Sequence, residues 1–138
     1  MLRKSILVIS DQHAPYHHID TLDFLAEIKK KYKPDTVVNI GDEMDWHSIS
    51  FHDSHPGLYS PSHELEVARR FFLQLEKLFP KQYIMDSNHG SLVFRKATRH
   101  GLPHEVFTSY NKMIGVGKGW TWHEDLILKA SNGQKIYF

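Results

Sequence analysis

The fold is decided by residues 36–45, TVVNIGDEMD, in which a short apolar run leads into Gly41-Asp42-Glu43-Met44-Asp45. We interpret residues 36–40 as a buried strand. Asp42 then lies just past the carboxyl end of that strand, which is where open α/β sheets place their ligands. The stretch therefore predicts a functional carboxylate at the edge of a sheet.

Two other polar clusters follow apolar runs in the same way. Residues 5–10 lead into Asp11-Gln12-His13, and residues 83–86 lead into Ser87-Asn88-His89-Gly90. Three parallel strands would bring the three clusters to one rim of the sheet. Carboxylate, imidazole and amide oxygen are ligands for hard to borderline divalent metals. The sequence therefore predicts a metal site at this rim.

Helical patterns separate the three strands. Asp20 is the predicted N-cap of a helix over residues 21–32, and Ser60-Pro61 predicts the start of a second helix that Pro80 ends. The apolar residues of the first helix recur at helical spacing and are expected to face the sheet: Leu22, Leu25, Ile28 and Tyr32. Strand, helix and strand at this spacing favour parallel pairing.

The remainder of the chain predicts short helices and a hairpin. We expect helices over residues 91–100 and within residues 103–111, a loop containing Gly115, Gly117 and Gly119, and a polar surface turn at His123. Asn132-Gly133 lies between two short runs and is a strong hairpin signal. The predicted class is α/β, with a βαβαβ core, then helices and a C-terminal hairpin.

Composition narrows the possibilities for the whole chain. A length of 138 residues favours a single domain with a real hydrophobic core. The net charge of +1 argues neither for nor against a nucleic-acid partner, and the lack of cysteine excludes disulfides, thiolate zinc sites and cysteine nucleophiles. No apolar run approaches membrane-spanning length. We therefore expect a cytoplasmic protein that does not bind membranes.

Each polar cluster can be interpreted as part of a catalytic site or as an ordinary structural feature of a loop. Asp11 and His13, two residues apart, can hold one ion, and the two oxygens of Asp42 can bridge two ions. Asp45 can orient a histidine ring. Asn88 offers a neutral ligand, and His89 can donate a proton to a leaving group. Taken one at a time, the same residues are equally typical of turns, helix caps and exposed loops.

The three motifs in this order resemble the calcineurin-like metallophosphoesterase family over about residues 5 to 100. The pattern is Asp11-x-His13, then Gly41-Asp42-x-x-Asp45, then Asn88-His89, with a helix between each pair. The Ser-Asn-His-Gly-Ser form looks most like members encoded by bacteriophages, which would place the protein in the host cytoplasm. The resemblance implies the N-terminal part of an αββα sandwich.

The resemblance also implies a role for each site residue. Asp11 and His13 would bind the first metal, Asp42 both metals, and Asn88 the second. His89 would be the general acid, and Asp45 would support its ring. Manganese is the expected metal, with iron, zinc, nickel or magnesium as alternatives, and a water or hydroxide bridging the two ions would attack phosphorus.

The chain departs from the family pattern in two places. Ser87 and Gly90 replace the glycine and the acid that usually flank Asn-His, and no Gly-His dipeptide occurs. Residues 135–138 look like the strand that leads to a further histidine ligand. We therefore expect a chain truncated at its C-terminus, with weakened metal affinity and impaired activity. Residues 136–138 at a sheet edge would favour a homo-oligomer.

The residues that could bind substrate form a less specific pattern than the metal-ligand motifs. Aromatic residues in the loop 46–59 could stack on bases, and Arg95 and Arg99, one helical turn apart, could attract a phosphodiester backbone of DNA or RNA. His47 lies close to the predicted rim. The first hypothesis is a metal-dependent phosphodiesterase or nuclease. The alternative is an inactive module that binds nucleic acid or a protein; a nucleotide-binding domain is disfavoured, since no strand leads into a phosphate-binding glycine loop.

Overall fold

The structure is a computed structural model that describes residues 5–138, and strands alternate with helices along most of it. The first three strands and first two helices agree with the sequence prediction to within a residue or two at each end. The elements are β1 (Ile6–Ile9), α1 (Thr21–Tyr32), β2 (Thr36–Asn39), α2 (Pro61–Leu78), β3 (Gln82–Met85), α3 (Leu92–Arg99), α4 (Tyr110–Ile114), β4 (Trp120–His123), β5 (Ile127–Lys129) and β6 (Lys135–Tyr137).

The central sheet has the strand order β1-β2-β3-β4, and all of its neighbours are parallel. The parallel direction confirms the predicted arrangement, so the carboxyl ends of β1, β2 and β3 meet at one rim. β4 was not predicted. Residues 120–123 pair with β3, and His123, expected in a surface turn, ends this strand opposite Met85.

The two faces of the sheet are covered differently. On one face, α1 and α2 pack over the strands, and Leu25, Phe72, Leu75 and Trp120 are buried in one core. On the other face, the antiparallel hairpin β5–β6 covers a smaller cluster built on Val38, Met85 and Leu128. The hairpin predicted at Asn132-Gly133 is confirmed, and Gly133 adopts the left-handed φ of +85° that such a turn requires.

Several local expectations are corrected. Residues 103–111 do not form one helix, because a 3₁₀ turn (His104–Val106) and the separate helix α4 occupy this part of the chain. Tyr32 does not face the sheet and is exposed. Asp20 stands at the N-cap of α1 without a side-chain capping bond, whereas the Ser60 hydroxyl does accept the His63 N–H at the start of α2. No helix among residues 5–138 is long and apolar enough to cross a membrane.

Candidate metal centre

The loops after β1 and β2 run side by side and continue the pairing of their strands. The N–H groups of Asp11, His13 and Ala14 donate to the carbonyls of Gly41, Asp42 and Glu43 at 3.1, 2.9 and 2.9 Å, and the Asp45 N–H donates back to Ala14 at 2.9 Å. These bonds fix the two loops against each other, so the side chains of both motifs are presented at the same place on the rim.

The backbone of these loops is held in an uncommon conformation. Asp11, His13, Asp42 and Trp46 all have φ between 47° and 54°, the left-handed region that residues other than glycine rarely adopt. Such strain persists only where the surrounding hydrogen bonds determine it, and it concentrates at functional sites. Here it turns the Asp11, His13 and Asp42 side chains toward one point.

Three of the four predicted metal ligands converge. Donor atoms of Asp11, His13 and Asp42 all lie within 4.8 Å of one another. His13 Nε2 is 3.6 Å from an Asp11 oxygen and 3.9 Å from an Asp42 oxygen. Its Nδ1 lies 2.8 Å from Asp45 Oδ1, and because a carboxylate only accepts, Nδ1 carries the proton and Nε2 keeps a lone pair. Two carboxylates and this nitrogen suit a divalent cation.

His89 adjoins the same point from the loop after β3. Its backbone N–H donates to Asp42 Oδ1 at 3.2 Å, and its ring meets the His13 ring edge to face at 4.7 Å. His89 Nδ1 is hydrogen-bonded to the Asp45 carbonyl and lies 3.8 Å from the Asp45 carboxylate. Asp45 therefore contacts both histidines, with its carboxylate closest to His13 and its backbone carbonyl on His89.

Comparison with known proteins gives a family for this arrangement. The family model described as calcineurin-like phosphoesterase matches residues 4–125. The chain belongs to the calcineurin-like phosphoesterase family. Members hydrolyse phosphoesters with divalent metals, and the cluster of Asp11, His13 and Asp42 agrees with that chemistry. No curated protein sequence matches the chain.

Ser87, which departs from the usual family motif, has a definite structural role in this chain. Its hydroxyl oxygen accepts the N–H of Asp42 at 2.9 Å and that of Gly90 at 3.0 Å. One side chain thus joins the loop after β3 to the loop after β2. Gly41 makes this approach possible, because a Cβ there would lie 2.5 Å from the Ser87 Cβ.

A buried polar network that the sequence did not reveal lies behind the metal centre. Glu43 is fully buried, accepts a hydrogen bond from Trp122 Nε1 at 3.3 Å, and has a pKa raised to about 7, chiefly by burial. Burial and the nearby Glu43 raise the pKa of Tyr110, whose hydroxyl accepts from Trp46 Nε1 at 3.1 Å. Glu43 is enclosed by residues distant from it in the sequence: Gly90 after β3, Tyr110 on α4 and Trp122 on β4.

A second buried acid supports the loop after the metal motif. Glu64 on α2 accepts the N–H groups of His47 and Ser48 at 2.8 and 3.0 Å, at the start of a short 3₁₀ turn (His47–Ile49). His47 Nδ1 then lies 4.0 Å from the Asp45 carboxylate. Glu64 was not predicted as a functional residue, because in the sequence it is one charged position in the first turn of a regular helix.

The remaining predicted residues lie on the α3 side of the site. Asn88 directly precedes His89 and is exposed, and its role as a ligand of the second ion stays a prediction. Its backbone carbonyl accepts a hydrogen bond from Arg95. Arg95 and Arg99 lie on α3 beside Phe51, in the loop before α2. The structure brings donor atoms of Asp11, His13 and Asp42 within 4.8 Å of one another, and likewise those of His13, Asp45 and His89. The roles expected of Asn88, His47, Arg95 and Arg99 stay predictions.

Proposed function

We propose that this chain hydrolyses phosphodiester bonds, as a phosphodiesterase or nuclease that uses two divalent ions, with manganese the expected metal. The observation that supports this proposal is the convergence of Asp11, His13 and Asp42 with the His89 ring beside them. When bound, divalent ions would lower the pKa of a water that serves as nucleophile and would neutralise charge on the phosphoryl oxygens.

The residues of the chain supply the binding geometry. Asp11 and His13 would hold the first ion, Asp42 would bridge both ions, and Asn88 would hold the second. The hydrogen bond from His13 Nδ1 to Asp45 keeps Nε2 directed at the cluster. Only Asp42 and Asn88 are assigned to the second ion, so we expect it to bind weakly and turnover to be impaired, with a need for high manganese concentrations.

His89 is the proposed general acid. Its Nδ1 faces the Asp45 carbonyl, which only accepts, so this nitrogen stays protonated and Nε2 is the nitrogen that can exchange a proton with substrate. When it carries a proton, Nε2 could pass it to the leaving-group oxygen, and the Asp45 carboxylate, 3.8 Å from Nδ1, lies on the opposite side of the ring. Asp45 is thus proposed to act on both His13 and His89.

Hydrolysis of a chromogenic phosphodiester with added manganese tests the proposal. We expect turnover by the wild-type chain and a loss of about 10³-fold or more in Asp42→Asn, because a metal-bridging charge is worth several kcal/mol. Asp53→Asn, the same change at an exposed acid in the loop before α2, is the matched control and should retain activity.

Two results would contradict the proposal. Equal rates for Asp42→Asn and the wild-type chain would show that the hydrolysis does not use this centre. Manganese binding by calorimetry without hydrolysis of any phosphodiester would instead favour the inactive binding module.

A further inference from the structure

Three cations surround one exposed aromatic ring next to the metal centre. The Phe51 ring centroid lies 5.8 Å from Arg95 Cζ, 4.5 Å from Lys96 Nζ and 4.9 Å from Arg99 Cζ. Phe51 itself is 40% exposed. We call these four residues the Phe51 cluster. It combines residues that are more than forty positions apart in the sequence, so the pattern along the chain does not reveal it.

Hydrogen bonds hold the cluster in place and connect it to the site. Lys96 Nζ donates to the Ser50 carbonyl at 3.0 Å, which fastens the loop to α3. Arg95 Nε donates to the Ser91 hydroxyl at 3.2 Å, and its Nη2 donates to the carbonyl of Asn88. Because Asn88 and His89 are adjacent, the cluster lies directly beside the proposed phosphoester site.

The cluster has no carboxylate partner in the part of the chain that the structure describes. None of Arg95, Lys96 and Arg99 forms an ion pair there, whereas Arg70 on α2 is paired with Glu66. Attraction to the ring face offsets some of the mutual repulsion of the three charges, and the C-terminal end of α3 offsets some more. Neither supplies a negative charge, so an anion bound here would relieve the remaining repulsion.

The contacts of Phe51 favour a use other than base stacking. Loop aromatics were expected to stack on bases, but the ring of Phe51 is already in contact with three cations. The ring therefore serves to gather the cations. The guanidinium groups of Arg95 and Arg99 and the ammonium group of Lys96, held together in this way, can donate hydrogen bonds to the oxygens of a phosphate group.

We propose that the Phe51 cluster binds a non-scissile phosphate of the substrate, and that the substrate is a single-stranded nucleic acid. This inference rests on the proposed phosphodiesterase function, because it places a second phosphate of the same strand next to the bond that is cleaved. A flexible strand can present neighbouring phosphates to the metal centre and to α3 together. DNA and RNA share this backbone chemistry.

Binding without catalysis is the first test. Anisotropy of a fluorescein-labelled oligothymidylate, titrated with the full chain in EDTA, reports affinity when no metal is present. We expect Lys96→Gln/Arg99→Gln to bind about tenfold more weakly or worse, with a shallower dependence of affinity on salt, because fewer counterions are released. Arg99→Lys, which keeps the charge, should bind more tightly than Arg99→Gln.

Arg70→Gln is the matched control. It removes one positive charge from an exposed helix position outside the cluster, and we expect it to weaken binding less than Arg99→Gln does. If Arg70→Gln and Arg99→Gln weaken binding equally, the effect is one of net charge and the proposal is wrong. Unchanged affinity in the Lys96→Gln/Arg99→Gln variant would also overturn it, as would tighter binding to a duplex than to the single strand.

A second readout separates this inference from the proposed function. With manganese, the ratio of kcat/KM for the oligonucleotide to kcat/KM for a chromogenic phosphodiester should fall about tenfold in Lys96→Gln/Arg99→Gln. Absence of hydrolysis of either substrate by the wild-type chain would reject the phosphodiesterase proposal alone, since the binding result in EDTA stands by itself. An unchanged ratio alongside normal hydrolysis would reject the subsite alone.

Discussion

The three loops that form the candidate metal centre are held in two different ways. The loops after β1 and β2 are joined by backbone hydrogen bonds between residues 11–14 and 41–45. The loop after β3, which carries Asn88 and His89, is joined to them through the hydroxyl of Ser87 and the backbone N–H of His89. Backbone bonds tolerate many side chains, so the first junction depends on conformation, whereas the second depends on the side chains of Ser87 and Asp42.

The largest expected effect comes from Gly41, where both kinds of junction meet. Gly41 has φ of +106°, and an added Cβ would lie 2.5 Å from the Ser87 Cβ and 3.2 Å from the Met85 carbonyl oxygen. We expect Gly41→Ala to lower the free energy of unfolding by about 3 kcal/mol, from the left-handed strain and the steric clash together. Chemical denaturation measures this difference.

Gly133→Ala is the matched control for Gly41→Ala. Gly133 also has a positive φ, +85°, but a Cβ there would meet nothing within 4 Å. The cost of Gly133→Ala should therefore be about 1 kcal/mol, the part due to backbone conformation alone. Equal costs at the two positions would show that the approach of the loops at Gly41 is not tight.

A smaller loss of stability is expected at Ser87, whose hydroxyl joins the loop after β3 to the loop after β2. Ser87→Ala leaves the N–H groups of Asp42 and Gly90 without their acceptor, which costs about 1–3 kcal/mol for groups of this kind. We expect faster amide hydrogen exchange at Asp42 and Gly90, because the loop after β3 is no longer fixed to Asp42. If the proposed metal site is correct, calorimetry should also show weaker binding of manganese.

Ser91→Ala is the comparison for Ser87→Ala in the same loop. The Ser91 hydroxyl donates to the Ser87 carbonyl, but that carbonyl also accepts the Ser91 backbone N–H, so it keeps a partner after the change. Amide exchange at Asp42 should then stay close to that of the wild-type chain. If Ser91→Ala raises it as much as Ser87→Ala does, the Ser87 hydroxyl has no special part in the junction.

Which features could be predicted from the sequence depends on whether adjacent or distant residues specify them. The strands that lead into Asp11, Asp42 and Asn88 could be predicted because an apolar run followed by polar residues is a local pattern. Parallel pairing then brings the ends of such strands together. The hairpin at Asn132-Gly133 was recognisable for the same reason, since its turn is specified by adjacent residues.

Features that depend on distant residues were not predictable. The four residues of β4 follow a glycine-rich loop and carry no clear alternation; Trp120 is buried because α2 covers it and the Phe79 carbonyl accepts its Nε1–H. In the sequence, Glu43 is one of the two unspecified residues between Asp42 and Asp45. Its burial depends on residues of β4 and α4, among them Trp122 and Tyr110. Phe51 contacts the cations of α3 through the tertiary structure, since these residues are more than forty positions apart in the sequence.

The smallest expected effect concerns the far end of the first loop, which ring packing holds. His17 stacks on Phe71 of α2 with ring centroids 3.8 Å apart, and its buried Nδ1 has no hydrogen-bond partner among residues 5–138. Burial lowers the pKa of His17 below its usual 6.5. As the pH falls below 6.5, the unfolded chain binds a proton at His17 that the folded chain resists, so the free energy of unfolding decreases.

His17→Phe should remove this contribution while keeping a ring against Phe71. Denaturation of both chains at pH 7.5 and pH 5.5, in EDTA, gives the difference in unfolding free energy at each pH; we expect the variant to gain relative to the wild-type chain as the pH falls. A difference that is the same at both pH values would mean that protonation of His17 is not coupled to folding. In that case the His17 ring would pack on Phe71 without resisting a proton, and its contribution to stability would be one of contact alone.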